Sequence, residues 1–432
     1  MMNLTETELY EVGEMPPLGH VPRKMYAWVN RPERYGSPLE SFKLEVVDVP
    51  EPGDDEALIY VMAAGINYNG LWAAQGKPVD VIAQRRKNGD EGQFQICGTD
   101  ASAIVYKVGR NVTNLKVGQR VVAYGSQWDA DCPHILAGGD PVCSRTYKVW
   151  GYETNWGSFA QFSLVQAHQC LPKPEHLTWE EAAAYMASGV CSYRMLHRWQ
   201  GNAVRPGDVV LVWGGAGGVG CMAIQIAKEA GAIPVAVISD ESKREFCMKL
   251  GAAGCINRTE FDHWGQLPPI DDREANSRWL RGGSKDKSGA LGFRRSIWKI
   301  VGERRNPNIV IEHPGEDTLP TSMFVCESGG MVVICAGTTG YLATTDLRYV
   351  WIQQKRLQGS HAADDVDAQN CNDLVRAGRL DPCLSRTFSW DELPVGHQLM
   401  ADNRHPPGNM SVLVGATSTG LGTGEPAYSP SY

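Results

Sequence analysis

Apolar residues in the first part of the chain gather in short runs, LEVVDVPEP, ALIYVMAAGIN, ASAIVYKVG and QRVVAYG, closed by Gly, Pro or Asn. Short runs with turn formers between them predict an irregular β domain, with no helix-period segment dominating before residue 175. The period then changes. Thr178 suits a helix N-cap, Glu180 and Glu181 suit the positive end of its dipole, and the helix is expected to run through AAAYMASGVCSYRML. Strand VVLVWG, helix CMAIQIAKEAGA, strand IPVAVIS, helix ESKREFCMKLGA, a short CIN strand, and strands NIVIEHPG and GGMVVICAG follow. Strand and helix in alternation predict a doubly wound parallel sheet.

The expected organisation is a β-rich catalytic domain made from both chain ends, residues 1–170 and 351–417, with a nucleotide-binding domain at 171–350 inserted. Residues 262–306 separate two sheet strands by more than a usual loop and read as an insertion. The Gly-, Ser- and Pro-rich stretch 418–432 reads as a disordered tail. There is no internal repeat.

The chain has 432 residues, 43% hydrophobic and 21% charged, which suits two globular domains. A net charge of -8 argues against nucleic acid or an anionic membrane as the partner. The twelve cysteines are scattered without a CxxC pair, the N-terminus shows no secretory signal, and no apolar run reaches membrane-span length. A cytoplasmic protein with reduced thiols is the simplest reading.

Strand VVLVWG leads into Gly214-Gly215-Ala216-Gly217-Gly218-Val219-Gly220 and then directly into a helix. Glycines 214, 217 and 220 permit a tight turn, backbone approach to a pyrophosphate and close helix–strand packing. The helix start supplies free N–H groups and positive dipole to the phosphates. At the end of the second strand stands Ser239, followed by Asp240, Lys243 and Arg244, with Arg258 after the third strand. A hydroxyl with nearby cations suits the 2′-phosphate of NADPH, although Asp240 is placed to serve a ribose instead, and Lys243 and Arg244 also suit a solvated helix.

In zinc dehydrogenases of this architecture an early Cys and a Gly-His-Glu motif ligate the metal. The matching places read Gly65-Ile66-Asn67-Tyr68-Asn69 and Cys97-Gly98-Thr99-Asp100, and four closely spaced cysteines for a structural zinc are missing. No metal is therefore expected, and reduction of a conjugated double bond is a better fit than alcohol oxidation.

The segments MAAGINYNG (62–70), WGYETNWGSFAQF (150–162), LPKPEHLTWEEAAAY (171–185), VISDESKR (237–244), EHPGE (312–316) and RYVWIQQKRLQGSH (348–361) carry a resemblance. Together they resemble the crotonyl-CoA carboxylase/reductases of the medium-chain dehydrogenase/reductase superfamily. The resemblance implies a GroES-like domain plus a Rossmann domain, NADPH as hydride source, an enoyl-CoA substrate, and CO2 captured by the α-carbon to give a 2-alkylmalonyl-CoA. It assigns CO2 to the amide of Asn69 and to His361, with Glu153 holding a water and orienting the histidine, and Tyr152 excluding bulk water. Taken singly, Asn69 reads as a turn former, His361 as a core histidine and Glu153 as a surface carboxylate. Arg348 matches a CoA contact. The basic insertion adds Arg294 and Arg295 as candidates for the phosphoadenosine end, a solvated loop being the plain alternative. Phe324 departs from a Tyr that some relatives place near CoA.

The competing readings are a non-carboxylating enoyl-CoA or acryloyl-CoA reductase, a quinone or enal reductase, and an NADPH-binding structural protein. The resemblance also implies a homo-oligomer, usually a dimer or tetramer. Members serve the ethylmalonyl-CoA route or, with longer acyl chains, polyketide extender-unit supply. The small residues of Tyr185–Cys191 lie where an acyl pocket is expected.

Overall fold

The computed structural model describes residues 7–90, 92–284 and 287–424. The chain divides into two compact units, one from residues 1–187, 362–378 and 382–432 and the other from 188–361 and 379–381.

The main sheet of the first unit has seven strands. Six run in the order Cys170–Pro172, Arg120–Ala123, Ala101–Val108, Glu56–Ile66, Asn409–Leu413 and Leu384–Phe388, and Phe162–Gln166 also pairs with Glu56–Ile66. The run EALIYVMAAGI is buried at every position after the first. It is continuous rather than alternating because this strand has partners along both edges and core on both faces.

Four short helices precede residue 175 among the described residues, the two longest being α1 (Tyr68–Gln75) and a helix Val81–Lys87. A helix as short as α1 is marginal alone. Here Gly70 lets it lie against the buried His397 of the helix Leu393–Ala401, contributed by the other end of the chain. Asn-Gly spacing signals a turn locally, and only this distant packing makes it a helix.

Thr178 does cap a helix, in a reciprocal box with Glu181 (2.8 and 3.3 Å). That helix ends at Ala182, and a second, α2 (Met186–His197), begins after a break, so the single expected helix is two. Long-range bonds replace the helical ones: the buried Tyr185 donates its hydroxyl to Asn372 Oδ1 (2.6 Å), and Ala187 N donates to Asp100 Oδ2 (3.1 Å).

Residues 418–424 of the expected disordered tail are tied down, while 425–432 lie outside the described residues. Trp179 N donates to Leu421 O (2.8 Å), Gly424 N to Glu175 O (2.9 Å) and Gly420 N to Glu180 Oε1 (2.7 Å). Glycine composition permits this: a Cβ on Gly422 would sit 2.7 Å from the Trp179 ring. Lys173 and Arg120 donate to Gly422 O and lie over the same ring.

The second unit holds β1 (Val209–Val212), β2 (Ile233–Ile238), β3 (Gly254–Asn257), β4 (Ile309–Glu312), β5 (Met331–Ile334) and β6 (Arg356–Gly359). They form one parallel sheet in the order β3-β2-β1-β4-β5-β6, the doubly wound arrangement. Its limits differ from 171–350. Cys170–Pro172 pairs with Arg120–Ala123 in the first unit, and β6, too polar to read as a strand, pairs with β5 in the second. The glycine turn opens α3 (Gly218–Glu229). The segment 262–306 is only partly an insertion. Its second helix, α4 (Ala290–Val301), is the crossover from β3 to β4, with Phe293 and Ile297 fully buried in the core beside the sheet. The added material is the stretch around the helix Arg273–Arg281; Lys285 and Asp286 lie outside the described residues.

Candidate active site

The chain turns from β1 into α3 at Gly214, whose φ of +55° lies in the left-handed region. A Cβ there would meet His313 Nε2 at 2.4 Å, and one on Gly220 would meet Gly214 O at 2.2 Å, so both positions exclude a side chain. Gly217, the N-cap of α3, has only Gly214 O near its missing Cβ (3.4 Å) and makes no side-chain cap. The turn thus leaves space and unbonded N–H groups, with Gly218 and Val219 in the first helical turn, where a pyrophosphate fits.

Beyond β2, Lys243 Nζ donates to Ser239 Oγ (3.1 Å). Asp240 is occupied: its Oδ1 accepts from Ser242 N (2.8 Å) and Ser242 Oγ (2.5 Å). That turns one of its two oxygens back onto its own turn. Arg244 is also committed, paired with Glu241 and donating to Cys255 O (2.9 Å). Ser239 and Lys243 are brought together, and Arg258 follows β3 half-buried. The residues present fit a nucleotide carrying a 2′-phosphate.

Strand order reverses between β1 and β4, so ligands of such sheets lie over the ends of these strands. Two groups there were not anticipated from sequence. Glu312 is fully buried and accepts from Ser322 Oγ (2.5 Å), Thr318 Oγ1 (2.7 Å) and Gly315 N (3.2 Å). Ser322 in turn accepts from Trp213 Nε1 (2.8 Å). Burial pushes the carboxyl up to about 7 against the pull of these donors. His313 beneath Gly214 donates from Nε2 to Trp213 O (3.1 Å), and burial lowers its pKa to about 4, so the ring is neutral. The EHPGE segment is where this signal lay.

In the first unit, Asn69 is the second residue of α1, and its side-chain amide has no hydrogen-bond partner among the described residues. Asn67, at the N-cap, donates from Nδ2 to Asp100 Oδ1 (2.8 Å). Burial raises the Asp100 carboxyl to about 7. Tyr152 donates its hydroxyl to Lys77 O (2.8 Å), just past the end of α1, tying its loop to that helix. Glu153 Oε2 accepts from Val149 N (2.9 Å), and the residue lines a cavity of about 360 Å³ with Arg85, Lys148 and Asn155. Asn69, Tyr152 and Glu153 thus belong to the first unit. His361 follows β6 and belongs to the second. Cys97 is a buried thiol accepting from Asn30 Nδ2 (3.3 Å), pushed up to about 12 by desolvation, which is unlike a thiolate ligand. Among the described residues no group of three or more His, Cys, Asp or Glu is placed to hold a metal ion.

Of the candidate CoA cations, Arg294 on α4 lies over Phe324 (4.7 Å) and Trp298 (5.1 Å). Phe324 also meets Tyr349 (5.9 Å), next to Arg348, so the structure brings these two segments together. Arg348 is exposed and paired with Asp346 (2.6 Å). Arg295 is exposed on the same helix.

An alcohol dehydrogenase GroES-like domain model matches residues 53–175, and a zinc-binding dehydrogenase model matches 218–377. The second name describes a broad family; the Cys97–Asp100 segment here carries Thr99 in the histidine place. A crotonyl-CoA carboxylase/reductase from Cereibacter sphaeroides is 50% identical over 416 residues, covering 96% of this chain and 94% of that protein. A solved crotonyl-CoA carboxylase/reductase in complex with NADP is 53% identical at a TM-score of 0.90, covering 95% of this chain and 100% of that one. A 2-octenoyl-CoA carboxylase reductase solved with NADP and 2-octenoyl-CoA is 34% identical at a TM-score of 0.82, covering 94% and 91%. With relatives of this identity matched along nearly its whole length, the chain belongs to the crotonyl-CoA carboxylase/reductase family.

Proposed function

We propose that the chain catalyses the NADPH-dependent reductive carboxylation of an α,β-unsaturated acyl-CoA, crotonyl-CoA or a longer homologue, to the 2-alkylmalonyl-CoA. The observation that carries this reading is the near-full-length identity with a crotonyl-CoA carboxylase/reductase. NADPH, when bound, supplies the hydride that reaches the β-carbon. The protein holds it through the Gly214–Gly220 turn, the start of α3, and the cations Lys243 and Arg258 beside Ser239. The substrate enolate then needs CO2 held close and protons kept away. Asn69 offers an unpartnered amide to a CO2 oxygen, and His361 donates to the same ligand directly or through a water that Glu153 holds. Tyr152, anchored at Lys77, walls the pocket from bulk water. Neutral His313 lies against the turn, and burial holds the nearby Glu312 carboxyl up at about 7. Arg294, Arg295 and Arg348 serve the phosphates of CoA.

A homo-oligomer, dimer or tetramer, also belongs to this proposal. Support comes from the sheet edge at β6, with Leu347, Trp351, Ile352 and Leu357 exposed in and just before it. Cytoplasmic residence fits the twelve free cysteines, and no helix of the described residues is long and apolar enough to cross a membrane. The experiment is NADPH oxidation with crotonyl-CoA, with and without bicarbonate plus carbonic anhydrase, followed by mass analysis. A product heavier by one CO2 and faster turnover with CO2 are expected. Butyryl-CoA alone, at a rate indifferent to CO2, overturns the reading.

A further inference from the structure

The start of α1 is built in an unusual way. Asn67 has the extended backbone of a helix N-cap (φ −123°, ψ 163°), and asparagine is a favoured capping residue. Yet its side chain makes no cap bond. Its Nδ2 is turned instead to Asp100 Oδ1 at 2.8 Å. Asp100 is fully buried, and its other oxygen accepts from Ala187 N at 3.1 Å. Its backbone carbonyl accepts from Gly65 N at 3.3 Å. The carboxylate is therefore held from two places in the chain, the cap residue of α1 and the segment that opens α2, while the strand end just before the cap holds the Asp100 backbone. A Cβ on Gly65 would stand 2.2 Å from Asp100 Oδ1 and 2.7 Å from Ala183 O, so the strand end, Asp100 and the stretch before α2 meet with no room for a side chain. A buried carboxylate persists only where donors satisfy it, and these donors fix the position of Asn67.

We propose that Asp100 is a positioning residue for carboxylation: by holding Asn67 it fixes the first turn of α1 and so the direction in which the Asn69 amide is presented to CO2. The proposal rests on the reading that Asn69 binds CO2. Asp100 itself touches no reacting atom; it acts through Asn67. The Asn67 bond directs the cap residue away from the helix end, so the peptide that enters Asn69 is set by the Asp100 carboxylate rather than by the helix's own cap. A change in the polarity of that bond tilts the first turn, while the glycine turn that serves NADPH lies in the other unit.

The test is a polarity swap. Asn67→Asp places two carboxylates face to face. Asp100→Asn turns an amide N–H toward either the Asn67 or the Ala187 donor. In the double variant N67D/D100N both bonds are satisfied again, with donor and acceptor exchanged. The readouts are the carboxylated share of the crotonyl-CoA product as CO2 is varied, the NADPH dissociation constant, and thermal unfolding. Each single change is expected to raise the CO2 concentration for half-maximal carboxylation about tenfold, a misplacement effect, with NADPH binding unchanged. The double variant is expected to return to within about twofold of the wild type. Single variants that carboxylate like the wild type, or a folded double variant that fails to recover, overturn the proposal. Should a single variant not fold, Asn67→Ala, which keeps the Asp100–Ala187 bond, is read in its place, and an unchanged CO2 dependence there overturns it equally. Asn69→Ala, measured in parallel, separates the two claims. If it leaves the product share untouched, the CO2 reading of Asn69 fails, and the proposal falls with it. If it shifts the share while the Asn67 and Asp100 variants do not, only the positioning claim falls.

Discussion

Gly70→Ala is the smallest change that should move the carboxylation pocket without touching it. A Cβ at that position would lie 2.2 Å from His397 Nε2 and 2.8 Å from its Cδ2. Ordinary contact needs roughly 3.5 Å, so something must move by about 1 Å. The imidazole has little freedom: it is fully buried, packs on Phe42 (4.9 Å) and Phe159 (5.2 Å), and donates from Nδ1 to Leu393 O (3.0 Å). The partly buried side of α1, which carries Tyr68, Asn69 and Trp72, is therefore what yields, and Asn69 travels with it. Overpacking of this kind costs about 1–3 kcal/mol, and alanine in place of glycine inside a helix returns up to about 1 kcal/mol. The net loss is about 0–2 kcal/mol, a modest fall in melting temperature. A shift of about 1 Å in a positioning group costs up to ~100-fold in rate. Function should therefore fall much further than stability. Calorimetry and product analysis by mass, at limiting and saturating CO2, measure the two losses separately. Adding His397→Ala to Gly70→Ala removes the clash, and part of the carboxylated share should return, a coupling that independent sites do not show. A Gly70→Ala enzyme with the wild-type carboxylated share would refute the reasoning, because the added methyl would then be absorbed without moving Asn69.

Lys243→Ala and Arg258→Ala should each weaken NADPH by about tenfold, the worth of one charge-assisted bond, and leave NADH binding unchanged; equal losses for both nucleotides in titration calorimetry would deny these cations a 2′-phosphate role. Glu312 has its carboxyl raised from 4.5 to about 7, so the folded state holds its proton longer than the unfolded chain. Its contribution is therefore full below about pH 4.5 and lost as pH rises through 7, a change of about 3 kcal/mol. Glu312→Gln removes that dependence, so the stability gap between variant and wild type should shift in the variant's favour between pH 4.5 and 8; parallel pH curves would contradict it. Charge reversal at Arg294 and Arg295 together should raise the Michaelis constant for the enoyl-CoA severalfold while NADPH binding holds, a loss of about 1 kcal/mol or more; an unchanged constant ends the case for a CoA role.

The elements that sequence reading reached are those whose signal is local. VVLVWG, the glycine turn and the run from CMAIQIAKEAGA to IPVAVIS announce β1, α3 and β2 because burial on both faces and a phosphate turn each leave a mark within a few residues. The capping box at Thr178 is equally local. What escaped is long-range. β6 reads as RLQG, alternating and polar, because it lies at the sheet edge with only β5 to cover it. The crossover α4 hides within the long 262–306 segment because extra residues separate it from β3, although Phe293 and Ile297 occupy the core as any crossover helix requires. The tail segment 418–424 has a disordered composition, yet its glycines are what let backbone lie on Trp179.

The site divides the same way. Asn69, Tyr152, Glu153 and His361 are candidates through resemblance alone, since nothing in their spacing distinguishes a CO2 ligand from a turn asparagine or a surface glutamate. Asp100 shows the limit from the other side. It sits in the sequence where a zinc dehydrogenase carries the acid of its metal motif, and the loss of the histidine beside it, now Thr99, makes it look like a remnant. The fold explains why a carboxylate stays there without a metal. Burial alone would expel it or keep it protonated, as its pKa near 7 reflects, but Asn67 and Ala187 arrive from two separate segments to bind its oxygens, and Gly65 N holds its backbone carbonyl. An acid that in the metal enzymes stands beside an ion is here satisfied by chain, and the chain it satisfies carries Asn69. Only the folded protein places those segments together, so the carboxylate's use is legible from geometry and from no spacing of letters.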